Sequence, residues 1–169
     1  YQFAPNLLMD IYKYSMKNLA ASIVFLAIFL SGCGDGRPAR VPVSGVVHVD
    51  GAVVTAEEGC ELFGFVRFYP VDGGRLAQAR LEENGTFTLG NYERADGCPR
   101  GEFVVELSVT SRRGNSFRYR VPPRYASRET SDLRVTISDQ TDSLILETHW
   151  LPEEEKERKK TYSIENDAL

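Results

Sequence analysis

Beyond residue 42, apolar and polar positions alternate with a period of two through most of the chain, which predicts strands. Val43–Val49 (VSGVVHV) is the first such run and ends at Asp50-Gly51, a two-residue hairpin signal. Val53-Val54 returns briefly before the loop Glu57-Glu58-Gly59. Residues 62–69 (LFGFVRFY) are rich in aromatic and β-branched side chains, so they read as a strand covered on much of both faces and stopped by Pro70. Asp72-Gly73-Gly74 turns the chain into a weaker strand at 76–81. Glu83-Asn84-Gly85 leads into 86–89, where Phe87 and Leu89 share a face. The clearest alternation runs over 102–110: Phe103, Val105, Leu107 and Val109 point one way, Glu102, Val104, Glu106 and Ser108 the other.

Arg113-Gly114-Asn115 turns next, and 117–121 alternates apolar residues with Arg118 and Arg120. Leu133, Val135 and Ile137 mark a further strand, and 143–148 the last. Seven or eight short strands between turns, with no internal helix, predict an all-β domain. Its expected form is a single antiparallel β-sandwich of immunoglobulin-like type. Its core is expected from Val47, Phe68, Phe87, Phe103, Val105, Leu107, Leu133, Val135 and Leu146.

One apolar run breaks the pattern. After Lys17, residues 19–30 (LAASIVFLAIFL) carry no charge; the run suits a signal-peptide core and is shorter than the ~20 residues of a spanning helix. It ends in Leu30-Ser31-Gly32-Cys33, which resembles the lipobox of bacterial lipoproteins. That resemblance implies a diacylglyceryl group on the Cys33 thiol, cleavage before Cys33, and acylation of the new amino group. Two or more acyl chains anchor stably where one alone is marginal. The same residues fit an ordinary signal peptide with a cysteine after its small residues, or a short transmembrane anchor. Asp35 stands one place beyond the position that favours inner-membrane retention in that family, which leaves the destination open.

The expected organisation follows. Residues 1–15 are an upstream segment without a motif, or a misassigned start, Met16 being the more natural one. Residues 16–32 are the leader, and 33–42 the lipidated cysteine and a Gly/Pro/Arg-rich tether. The sandwich spans 43–150. Residues 151–169 form a charged tail, disordered or a short helix. Pro152, the acidic run 153–155 and Lys159-Lys160 suit a helix dipole, with Glu154–Arg158 and Glu155–Lys159 as i,i+4 pairs, but an apolar stripe is missing.

Of 169 residues, 20 are basic and 24 acidic. The first 32 hold Lys13, Lys17 and Asp10, so the exported part carries 18 basic and 23 acidic residues, net −5. That surface exerts no global pull on nucleic acid, which is in any case not an expected partner outside the cytoplasm. With Cys33 assigned to lipid, Cys60 and Cys98 remain. Both sit in glycine-bearing segments of an exported chain, which makes a disulfide between loops the expectation, with two free thiols as the alternative.

His48 and His149 are the only histidines, and neither belongs to a metal-ligand spacing. Ser44-Gly45 lacks a nucleophile elbow, and no phosphate loop precedes a helix. No catalytic residue, metal or cofactor is therefore expected. Asp139, Asp142 and Asp72 belong to ordinary turn compositions without Ca²⁺-loop spacing. Trp150, Tyr92 and Tyr125 are residue types that stack on sugars or pack. The most distinctive chemistry is basic: Arg112, Arg113, Arg118, Arg120, Arg124 and Arg128 fall within seventeen residues, interleaved with Phe117, Tyr119 and Tyr125. Forked guanidiniums suit carboxylates, sulfates or phosphates. Arg112, Arg113, Arg118 and Arg120, with Arg124 and Tyr125, are thus the candidate surface for an anionic partner; a solvated outer face is the alternative.

In order along the chain come Val43-x-Gly45-x-Val47 with Asp50-Gly51, then Val66-x-Phe68-x-Pro70. Asn84-Gly85-Thr86-Phe87-Thr88-Leu89 and Gly101-x-Phe103-x-Val105 follow. Val121-Pro122-Pro123-Arg124-Tyr125 and Ser131-x-Leu133-x-Val135 close the set. Over residues 41–148 it resembles small lipoproteins, abundant in planctomycetes, whose exported part is a transthyretin-like or carboxypeptidase-regulatory-like sandwich. The 51–61 connection and the cysteine pair depart from that pattern. These are turn and core residues, so the resemblance implies a fold and not an activity. The expected function is a lipid-anchored, non-catalytic module of the cell envelope that binds other envelope proteins or anionic polysaccharide. A hydrolase or accessory enzyme is the competing class.

Overall fold

A computed structural model of the chain describes residues 38–163. The leader, Cys33 and most of the tether lie outside the described residues. Twelve strand segments follow one another: β1 (Arg40–Val41), β2 (Val43–Val49), β3 (Ala52–Val53), β4 (Glu61–Pro70), β5 (Ala77–Arg80), β6 (Thr86–Thr88), β7 (Cys98–Pro99), β8 (Gly101–Arg113), β9 (Ser116–Tyr119), β10 (Arg134–Ile137), β11 (Thr141–Thr148) and β12 (Tyr162–Ser163). Two 3₁₀ turns, Pro123–Ala126 and Pro152–Glu154, and one short helix, α1 (Glu155–Lys159), complete the set. Seven strands have four residues or more and β6 has three, which is the predicted all-β sandwich.

The larger sheet runs β12-β9-β8-β4-β5, with β10 also on β8. The smaller sheet runs β11-β2-β3, with β6 on β2, and β1 pairs with β7 apart from both. Thirteen-residue β8 is the spine: β4 lies along one edge from Glu61↔Arg112 to Pro70↔Phe103, while β10 and β9 share the other edge. Between those two, Ser131 Oγ donates to the Val105 carbonyl, and the chain loops out through the first 3₁₀ turn.

Alternation sorts the side chains. Phe103, Val105, Leu107 and Val109 of β8 are buried with Leu62, Val66 and Phe68 of β4 and Ala77 and Ala79 of β5. Across the layer Val43, Val47, Phe87 and Leu146 of the smaller sheet meet them, and Phe68 lies 6.4 Å from Phe87 and 5.8 Å from Phe103 between ring centroids. Leu133 and Val135, expected in the core, are only partly buried at its margin. Asp50 (φ 53°) and Gly51 (φ 79°) are both left-handed, as a two-residue turn between Val49 and Ala52 requires.

Several expectations need correction. β11 lies parallel to β2, from Thr141↔Val43 to Thr148↔Val49, although most other pairs are antiparallel. All strands of the larger sheet except β12 intervene between β2 and β11 in sequence, so no hairpin dictates their direction. β4 is covered on one face only, and Phe65 remains 47% exposed on the other. Guanidiniums shield that outer row: Arg80 (5.8 Å) and Arg112 (4.6 Å) over Phe63, Arg67 over Phe65 (5.6 Å), and Arg128 over Tyr69 (5.3 Å).

The Cys60–Cys98 bridge is not formed; both thiols are free. Cys60 precedes Glu61, opposite Arg112, whereas Cys98 lies just before Gly101 at the other end of β8. At ~3.3 Å per residue these ends are on the order of 30 Å apart or more, against a Cα limit of about 7 Å for a disulfide. Burial pushes the Cys98 thiol up to about 12, so it carries no thiolate at neutral pH.

Among the described residues regular structure begins at Arg40, inside the expected tether, because β1 pairs with β7 through Arg40↔Pro99 and Val41↔Cys98. Through Ser163 the tail forms α1 and β12, which is the short-helix alternative with a strand added that the sequence does not predict. Tyr162 supplies the apolar anchor: β12 pairs with β9, and its ring stacks on Phe117 at 5.1 Å and 15°. The expected i,i+4 pairs are replaced. Glu154 sits in the 3₁₀ turn, off the α1 face, and its carboxylate binds Arg124; Arg158 binds Asp50 (3.4 Å) and Glu155 (3.5 Å).

Candidate functional site

The arginines that cluster in sequence do not converge in space. Arg112 reaches Glu61 (2.9 Å) and lies over Phe63 on the outer face of the larger sheet. Arg113 donates to the Glu58 carbonyl (2.6 Å) and steadies the loop before β4. Arg124 binds the Glu154 carboxylate, the Tyr125 hydroxyl (2.7 Å) and the His149 carbonyl, so it staples the tail to the sandwich. Tyr125 is only 3% exposed and belongs to the core. Arg128 pairs with neighbouring Glu129 (2.8 Å).

Arg118 and Arg120 behave differently. The register Ser111↔Arg118 places Arg118 on the side of β9 that continues the buried face of β8. The Arg120 amide donates to Val109 (2.8 Å), so its side chain falls on that same side. Beyond the last core residues both arginines enter a cleft of about 270 Å³ at the end of the sandwich. Its floor is Val49, Ala52, Val53 and Val54 of the β2–β3 hairpin and the residue after it. Glu57, Tyr119, Trp150 and Arg158 complete the wall.

Three guanidiniums thus face one carboxylate in the cleft. Arg120 pairs with Glu57, and Arg158 is tied to Asp50 and Glu155 at the rim. Among the described residues Arg118 donates only to a neutral group, the Thr161 hydroxyl at 3.1 Å. Burial, and after it the Arg158 charge, lower the Arg120 pKa, a sign that the two cations press on one another. The Trp150 amide donates to Asp50 Oδ1 (3.3 Å), which fixes where β11 hands over to the tail. Tyr119 is held edge-on by Phe117 (5.9 Å, 87°) and Tyr162 (5.5 Å, 78°). The Tyr162 hydroxyl donates to Glu157; that hydrogen bond, with desolvation and the Glu157 charge, pushes its pKa up to about 12.

No protein-family model matches the chain, and no curated protein or solved structure matches it either. The arrangement of residues therefore carries the functional argument.

The sequence names Arg118, Arg120 and Trp150 as candidates without joining them. It gives no sign of Arg158 or Glu57, which come from the tail helix and from the loop before β4. The other two stacking candidates are used elsewhere: Tyr92 is clasped between Arg40 (5.1 Å) and Arg75 (4.8 Å), and Tyr125 is buried. A larger open groove of about 1270 Å³ runs beside β5, but it is lined by Arg75, Arg80 and Arg94 against Glu61, Glu82, Glu83 and Glu93. Its lining sums to one negative charge, where the cleft's lining sums to two positive, with Arg158 compensated from the rim by Asp50 and Glu155. That contrast makes the cleft the better anion site.

His48 lies 3.4 Å from Glu147, and His149 lies 3.6 Å from Asp50 and 4.0 Å from Glu147. These contacts tie the ends of β2 and β11 together. Among the described residues, no group of three His, Cys, Asp or Glu side chains is placed to hold a metal ion.

Proposed function

We propose that the chain is a lipid-anchored, exported binding module of the cell envelope, and that its end-of-sandwich cleft receives an anionic group. On this reading the leader ends at Ser31-Gly32, Cys33 carries the acyl chains, and the tether presents the sandwich away from the bilayer. The partner is an acidic envelope polysaccharide or an acidic segment of another envelope protein. The protein acts by holding and not by reacting, in keeping with the resemblance to transthyretin-like lipoproteins.

The observation that carries the reading is the convergence of Arg118, Arg120 and Arg158 on one cleft of a protein whose exported part is net −5. A basic recess in an acidic surface attracts anions locally where the rest of the surface repels them. An Arg–carboxylate contact is a strong, charge-assisted and geometrically selective one.

The double variant Arg118→Glu/Arg120→Glu tests this. Arg120→Glu also sets a carboxylate against Glu57, so the double variant is expected to melt lower while staying folded, and retention on purified envelope fractions is abolished. Arg118→Glu alone, at an exposed side chain, is expected to keep the parent's melting temperature and to lose most of the retention. Undiminished retention would remove the cleft from the account. In a parallel arm, Cys33→Ala is expected to lose labelling by a fatty-acid probe and to leave the membrane fraction; equal labelling of that variant would refute the lipid anchor.

A further inference from the structure

The cleft is more specific than a basic patch. Its volume of about 270 Å³ lies below the ~300–1,000 Å³ typical of pockets for drug-sized ligands, so one small unit of a chain enters it while the chain's other units stay outside. Trp150 and four apolar residues, Val49, Ala52, Val53 and Val54, are part of its lining beside the charged groups, and Val53 itself is 44% exposed. A purely electrostatic anion site has no use for either. A flat ring with an apolar face and polar edges does, because its C–H face can lie against an aromatic wall while its edges reach hydrogen-bonding groups. The anionic part is equally constrained. Arg120 already holds one carboxylate, that of Glu57, inside the cleft, so a planar, forked anion fits these guanidiniums. Arg118 offers the same fork to a second carboxylate, with only the Thr161 hydroxyl to displace.

We infer that the cleft recognises a single carboxylate-bearing pyranose, a uronate unit of an acidic glycan, with its ring against Trp150 and its carboxylate on Arg118. The inference rests on the reading of the cleft as the binding site and adds the ligand class. Trp150 is the chain's one tryptophan, so its fluorescence reports on this site alone.

The full chain is titrated with trigalacturonate, with D-glucose as a neutral ring and with poly-L-glutamate as carboxylates without a ring, and followed by tryptophan fluorescence and calorimetry. Trigalacturonate is expected to bind and to change the Trp150 emission, and glucose to do neither. Arg118→Gln, which keeps the tryptophan as reporter, is expected to weaken trigalacturonate binding about tenfold or more, the scale of one lost charged hydrogen-bonded contact. Trp150→Ala is expected to do the same by calorimetry. Poly-L-glutamate binding as tightly as trigalacturonate, and indifferent to Trp150→Ala, would overturn the uronate inference and leave the anion-binding module standing. Trigalacturonate binding without any change in emission would also overturn it. Binding of neither anion would remove both.

Discussion

Phe68→Ala is expected to destabilise the domain by about 3–5 kcal/mol, the range for removing a buried phenylalanine ring. The ring is fully buried and touches both layers, with Phe103 beside it in the larger sheet and Phe87 across from it in the smaller one. Its removal opens a cavity where the two sheets meet, beside the Phe87 and Phe103 rings. Phe103→Ala is expected to cost a similar amount, and the double variant less than the sum, because both substitutions empty one shared space. Equilibrium urea unfolding followed by far-ultraviolet circular dichroism measures this. A loss below about 1 kcal/mol for Phe68→Ala would mean that the rings do not form the interlayer core.

Gly45→Ala is expected to be as damaging for a different reason. Gly45 sits in β2 between two partners, Phe87 of β6 and Leu144 of β11. A Cβ there would meet the Leu144 carbonyl oxygen at 2.2 Å and Phe87 Cζ at 2.7 Å. The first neighbour is backbone, so it cannot swing away as a side chain could. The parallel β2–β11 pairing must therefore shift or the strand must leave the layer. The expected cost is several kcal/mol, comparable to gross overpacking of a core, and enough to leave a marginal domain largely unfolded. A melting temperature unchanged from the parent would contradict the close approach of β11 to β2.

Local order was readable in the sequence because it is set locally. Asp50-Gly51 announces its turn through backbone conformation, and the alternation in 102–110 gives the buried side of β8 directly. The outer row of β4 was misread for an equally physical reason. Phe63, Phe65 and Tyr69 look like core residues until arginines are seen to lie across them, from β5 and β8 over Phe63, from β4 itself over Phe65 and from the segment after β9 over Tyr69. Which arginine covers which ring depends on strand pairing, and residue type alone does not encode it. The same limit applies to the cleft. The basic cluster was visible, but the period of two sends Arg112 to one side of the sheet and Arg118 to the other. Arg158 joins from a helix placed by long-range contacts, with Asp50 on one side of the chain and the Tyr162 stack on the other. The free cysteines teach the same lesson, since nothing in their glycine-rich surroundings reveals that they flank opposite ends of one long strand.

The most direct test of the account is hydrogen exchange on the full chain, with and without a purified acidic polysaccharide fraction of the envelope. Binding in the cleft predicts slowed exchange in the β2–β3 hairpin, around Arg118 and Arg120, and from Trp150 through α1, with the outer face of β4 and the groove beside β5 unchanged. Protection centred on that groove or on the β4 face, with the cleft segments exchanging as before, would contradict it.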